Sequence, residues 1–201
     1  MNRFRVRFAG ARSPHACGGK CVATGFTLVE LMVTIAVAAV LLAIAVPSFT
    51  RLMANTRQTS ATNSLLNAFA YARNSALRDG QSVTVCPIAN PTDTICSAAA
   101  TWDTGWGVIT DPAGATSVLL ASGNLGAYGV AVTASGGSIP LVFTPRGLVT
   151  GLPIGTGTDL FKLCDNRGSA YAHSVVVNSG GYIQTSQTPG ADPDGTALVC
   201  P

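Results

Sequence analysis

Gly25-Phe26-Thr27-Leu28-Val29-Glu30-Leu31-Met32-Val33-Thr34-Ile35 opens an apolar run that continues to Val46, and the rest of the chain is read from it. Phe26 to Val46 is 21 residues. As an α-helix rising ~1.5 Å per residue it makes a rod of about 31 Å, the thickness of a bilayer core. The segment is therefore predicted to span a membrane. Glu30 is the exception in it, because a lone acidic side chain a turn inside the hydrocarbon costs roughly 2 to 4 kcal/mol. A charge retained at that cost is expected to have a function and a partner. Cleavage after Gly25 would supply the partner, since Phe26 would then carry a free amino group. At ~4 Å and an effective dielectric of about 20, that amine and the Glu30 carboxylate, on one chain or on neighbours, attract by on the order of 4 kcal/mol.

An ordinary secretory signal is the competing reading, with Ala43-Ile44-Ala45 as its small-residue cleavage site. Glu30 interrupts the apolar core that such a signal needs, and the helical pattern runs on past the cut. Charge supports a membrane anchor instead. The formal net charge is +3, but Arg3, Arg5, Arg7, Arg12 and Lys20 all lie in the first 25 residues, which hold no acid. Without them, 7 cations face 9 acids, a balance of −2. The basic leader places the N-terminus in the cytoplasm by the positive-inside rule and gives no argument for nucleic-acid binding.

The cysteines divide at the same point. Cys17 and Cys21 are in the leader; only His15 is near them, too few ligands for zinc, and they are read as incidental. Cys86, Cys96, Cys164 and Cys200 form an even set beyond the membrane, in an oxidising compartment. Three pairings are possible, and Cys86 with Cys96 and Cys164 with Cys200 is favoured. No metal site, cofactor or catalytic group is expected. His173 is the one histidine after residue 25, read as a surface residue, and it has no second His or free thiol to work with.

Beyond Val46, Pro47 removes one helical hydrogen bond and is expected to kink the helix. Phe49, Leu52, Met53, Thr56, Leu66, Phe69, Ala70, Arg73 and Leu77 then recur at three and four, until Asp79-Gly80 stops the helix. The second half of that stripe should pack on the chain's own globular domain and the first half on other subunits. From Gln81 the period changes to two. Strands are predicted at 82–86, 106–110, 117–121, 128–132, 141–144, 160–164, 174–178 and 182–185, with a polar loop over 87–101 and a loose tail over 186–197 that only Cys200 holds. The fold class is α+β, a long N-terminal helix with a membrane-spanning first half, packed on an antiparallel two-sheet β-sandwich.

Gly25, Phe26, Thr27, Leu28, Glu30 and Leu31 resemble the processing and assembly motif of the type IV pilin superfamily. Five further stretches, taken in order, are similar to the GspH/FimT family of minor pilins and pseudopilins. They are the helix end Tyr71 to Gly80, the strand ending Cys86-Pro87, Gly105-Trp106, Phe143-Thr144-Pro145-Arg146-Gly147 and Phe161-Lys162-Leu163-Cys164. The resemblance implies a prepilin leader over 1–25, a transmembrane and assembly helix over 26–46, an amphipathic continuation over 47–80 and a β-rich domain over 81–201. It implies cleavage by prepilin peptidase between Gly25 and Phe26, N-methylation of Phe26, and packing against other pilins or pseudopilins through this helix with Glu30 governing assembly. The protein would cross the bacterial inner membrane once, its C-terminal domain periplasmic, and then enter a pilus or pseudopilus.

Two functions follow from the resemblance. One is structural, a minor pilin or pseudopilin near the tip of a type IV pilus or type II secretion pseudopilus, not an enzyme. The other is DNA capture for natural transformation, which some FimT relatives perform with a Gly-Arg-x-Arg motif. That motif would fall here on Gly181, Tyr182, Ile183 and Gln184, so both arginines are missing. Arg146 and Arg167 on turns and a stacking Tyr182 are the remaining candidates for nucleic-acid contact, with Asp165 or solvent as the expected partner of the arginines.

Overall fold

A computed structural model describes residues 25–110, 117–137 and 139–201; Cys17, Cys21 and His15 lie outside the described residues. Contacts divide the chain into two compact units, Met1–Val46 and Pro47–Pro201. Helix α1, Leu28–Asp79, contains Pro47, and Gly80 follows it in the left-handed conformation at φ 65°. Thr27 begins α1, its hydroxyl accepting the Glu30 N–H at 3.2 Å and its carbonyl the Leu31 N–H at 3.1 Å. The Thr-Leu-Val-Glu spacing is that of a helix-capping pair, which satisfies an amide that the first turn otherwise leaves open.

The second unit holds two antiparallel sheets. The strands are β1 Val83–Pro87, β2 Trp106–Thr110, β3 Val118–Gly123, β4 Ala131–Ala134, β5 Leu141–Phe143, β6 Val149–Thr150, β7 Thr158–Cys164, β8 His173–Asn178 and β9 Ile183–Thr185. The first sheet has the order β3-β2-β1-β5-β6 and the second β4-β7-β8-β9. Period-two alternation sends Val83 and Val85 of β1, Phe161 and Leu163 of β7, and Val175 and Val177 of β8 into one core shared with α1. Phe69 joins the layers, with ring centroids 5.0 Å from Phe161, 6.1 Å from Trp102 and 6.4 Å from Phe143. Gln58, also fully buried, donates from Nε2 to the Leu163 carbonyl of β7.

All five residues of β1 are buried because its second face is covered too. Cys86, Ile88 and Ile109 form a smaller cluster there, with Cys96 packed against it. Cys86 and Cys96 are disulfide-bonded, with Cα atoms 5.6 Å apart, so the loop between them is held over that face.

Four expectations are corrected. The helix face that packs on the sheets is Gln58, Ala61, Thr62, Leu65, Ala68, Phe69, Ala72, Ser75 and Ala76; Leu66 is half-buried and Leu77 exposed. Phe69, which the expected stripe included, lies at the centre of this face with Leu65, and the small side chains around them let the backbone of α1 approach the sheets. Of the strand expected over 128–132 only Ala131 and Val132 are extended, in β4; Tyr128 ends a three-residue 3-10 turn, Gly126–Tyr128, and Gly129 turns left-handed at φ 70°. β6 is an additional strand, two residues long.

The tail is ordered rather than loose. Leu198 is buried and donates its N–H to Gly190 O at 2.8 Å, Asp192 Oδ1 accepts the Thr196 N–H at 2.7 Å, and Lys162 Nζ donates to Val199 O at 3.1 Å. The Cys164–Cys200 disulfide, Cα to Cα 5.9 Å, closes it onto β7.

Candidate functional site

The first candidate site is the N-terminal part of α1. Every described side chain from Gly25 to Val46 is exposed, Phe26 at 80% and Leu28 at 73%. Length and apolar composition make α1 a helix able to cross a membrane. Exposed apolar side chains on this scale require another apolar phase or another subunit, at roughly 25 cal/mol for each Å² removed from water. Glu30 lies in the first turn of α1, where the helix dipole favours a negative charge.

The residues considered for nucleic acid separate into two places in the second unit. Arg146 is exposed on the turn between β5 and β6, next to Gly147 at φ 76°. Gly181, at φ 75° in the turn between β8 and β9, approaches so closely that a Cβ there would strike the Gly147 carbonyl. The two turns thus meet beside Arg73, whose guanidinium stands over the Tyr182 ring at 5.5 Å and whose Nε is buried without a hydrogen-bond partner.

Arg167 is elsewhere, at Asn55. Eighteen positions of α1 separate Asn55 from Arg73, about 27 Å of helix. Asp165 binds the Arg167 guanidinium at 2.6 Å, Asn55 Oδ1 accepts from it, and the Tyr171 ring lies 4.5 Å away. An arginine engaged on three sides has little left for a phosphate.

His173 starts β8 and is half-buried rather than fully on the surface. Burial pushes its imidazole pKa below the ordinary value, Arg167 adds to that, and Asp165 opposes it. Asp159 is fully buried on β7, where Oδ1 accepts from Ser135 Oγ at 2.6 Å and Gly136 N at 2.9 Å. Among the described residues no group of three His, Cys, Asp or Glu is placed to hold a metal ion.

Residues 61–181 match the family of type II transport protein GspH, and residues 23–46 match the prokaryotic N-terminal methylation motif. The chain belongs to the GspH family. This GspH-family chain also shares its fold with the type IV minor pilin FimU of Pseudomonas aeruginosa, at 18% identity and a TM-score of 0.51 over 66% of this chain and 95% of that one. The minor pseudopilin EpsH of the Vibrio cholerae type 2 secretion system is similar at 10% identity and a TM-score of 0.45, covering 65% of this chain and 96% of that one. No curated protein matches the chain.

A methylation motif followed by a long apolar helix fits a membrane-anchored pilin. Two functional features escaped the sequence reading. The capping role of Thr27 was visible as a Thr three residues before a Glu. The gathering of Arg51 and Arg57 near Arg167 is a long-range effect of the fold, and nothing local announces it.

Proposed function

We propose that the protein is a structural minor pilin or pseudopilin, cleaved between Gly25 and Phe26, N-methylated on Phe26, and held in the inner membrane until it enters a filament. The observation that carries this reading is the Phe26 to Val46 surface, wholly apolar apart from Glu30 and two threonines and wholly exposed. In the membrane it is solvated by lipid; in a filament it is covered by other subunits, with the Phe26 amine and Glu30 as the polar pair between neighbours. Prepilin peptidase is the processing partner, and other pilins or pseudopilins are the assembly partners. The globular domain is periplasmic and displayed near the filament tip, where it supports pilus assembly or protein secretion. Family membership supports a structural rather than an enzymatic role.

This reading is preferred to DNA capture. Tyr182 stands at Arg73, next to the turn that carries Arg146, while Arg167 is neutralised by Asp165 about five helical turns away, so the candidate contacts make no single positive track. The decisive experiment is the intact mass of the protein from the membrane fraction. A chain beginning at methylated Phe26 is expected, and one beginning at Val46 overturns the proposal.

A further inference from the structure

At the start of the second unit, Phe49, Arg51, Met53 and Arg57 of α1 line a hollow of about 700 Å³ with Arg167 and Tyr171. Its composition is two-sided. Phe49 and Met53 are exposed apolar side chains, and Tyr171 is a half-exposed ring at 46%. Three arginines face them. Arg167 is held by Asp165, the one acid near it, whereas Arg51 and Arg57 are exposed and have no hydrogen bond or ion pair among the described residues. The hollow therefore keeps two free positive charges. It also adjoins the apolar run in sequence: Pro47 follows Val46 directly, and Arg51 and Arg57 lie four and ten residues beyond Pro47, about 6 and 15 Å of helix. A bilayer's polar layer is about 5 to 8 Å deep on each side, so in an anchored chain the Arg51 backbone falls at headgroup depth and that of Arg57 about 7 to 10 Å beyond that layer, a gap its long side chain has to bridge.

We infer that this hollow is a binding site for the headgroup of an anionic phospholipid, with Arg51 and Arg57 on the phosphate and Phe49 and Met53 against the start of the acyl chains. Guanidinium groups bind phosphate oxygens in pairs, and apolar residues beside them suit a ligand that is charged at one end and oily at the other. Because the same stretch of α1 must face other subunits in a filament, the lipid occupies a surface that assembly later claims. Its release is then part of extraction from the membrane. The inference rests on the inner-membrane anchor proposed above.

The test uses the full processed chain, reconstituted in nanodiscs with equal amounts of phosphatidylglycerol and phosphatidylcholine, then extracted gently and weighed by native mass spectrometry. Retained phosphatidylglycerol over phosphatidylcholine is expected for the wild type. Each arginine near an anionic surface contributes about a fivefold preference, so Arg51→Gln/Arg57→Gln should lower that ratio by about thirtyfold. Arg51→Lys/Arg57→Lys should keep most of it, and Arg78→Gln all of it. Equal retention by the double variant overturns the inference, as does equal loss in Arg78→Gln, which would mean general charge. If the arginine variants retain lipid normally but lose incorporation into filaments, the hollow takes an acidic side chain of a neighbouring subunit and the lipid site is refuted. Flotation of all variants with neutral vesicles keeps the anchor separate: a chain that does not float refutes the anchor, whatever its lipid ratio.

Discussion

Replacing Phe69 by Ala should be among the most damaging single changes to the second unit, and its size follows from the packing. Phe69 is fully buried, and its ring meets Phe161 and Trp102, which also meet each other at 4.9 Å, and Phe143 of the other sheet. Truncation removes the ring's transfer free energy and leaves a cavity that three rigid aromatic neighbours cannot fill, a loss of about 3 to 5 kcal/mol. For a unit of this size each kcal/mol is worth ~2 to 4 °C, so the midpoint should fall by about 10 °C. The assay is thermal unfolding of the processed protein in detergent with both disulfides oxidised, followed by the fluorescence of Trp102 and Trp106. Leu77→Ala is the matched control. Leu77 lies on the face that hydrophobic spacing alone selects, yet it is 49% exposed, and its truncation should cost less than about 1 kcal/mol. Equal losses at the two positions would refute the assignment of the buried helix face.

Further outcomes are expected. Cys164→Ser/Cys200→Ser opens a sequence separation of 36 residues and should cost ~3 to 4 kcal/mol in chemical unfolding, while amide exchange in the tail rises first. Gly181→Ala is strained by its φ of 75° and strikes the Gly147 carbonyl, so it should lower the midpoint further than Gly155→Ala, whose φ is 89° but whose surroundings are open. His173 has a folded pKa depressed by burial. Its stability contribution is therefore present above the unfolded value of about 6.5 and lost as pH falls through the lower folded one. His173→Gln should flatten that part of the stability-pH curve.

The parts of the fold legible in the sequence are those set by chain-local physics. The apolar run, the stop at Asp79-Gly80 and strand β2 need only hydrophobic period and a glycine free to turn left-handed. What was missed depends on partners distant in sequence. The packing face of α1 keeps Phe69 but takes Leu65 and Ala76 in place of the neighbouring Leu66 and Leu77, with Ala, Ser and Thr where the backbone comes close to the sheets. β6 exists because Val142 and Phe143 offer it an edge, and the order of the tail comes from Ala172, Ser169 and Lys162, none of which its turn-rich composition reveals. At the candidate site, Glu30 stands out in any apolar run. The meeting of the Gly147 and Gly181 turns at Arg73, and the loss of Arg167 to Asp165, required the topology.

Glu30 is the centre of the proposed assembly, and Glu30→Ala isolates its carboxylate, since the helix-starting bond is donated by the Glu30 backbone N–H to Thr27 Oγ1 and survives the change. Removing the charge also makes the apolar span cheaper to insert. The direct measurement is the amount of the variant in sheared, sedimented filaments, normalised to processed protein in the membrane fraction. The account predicts normal insertion and cleavage with little or no incorporation; incorporation at the wild-type level would contradict it.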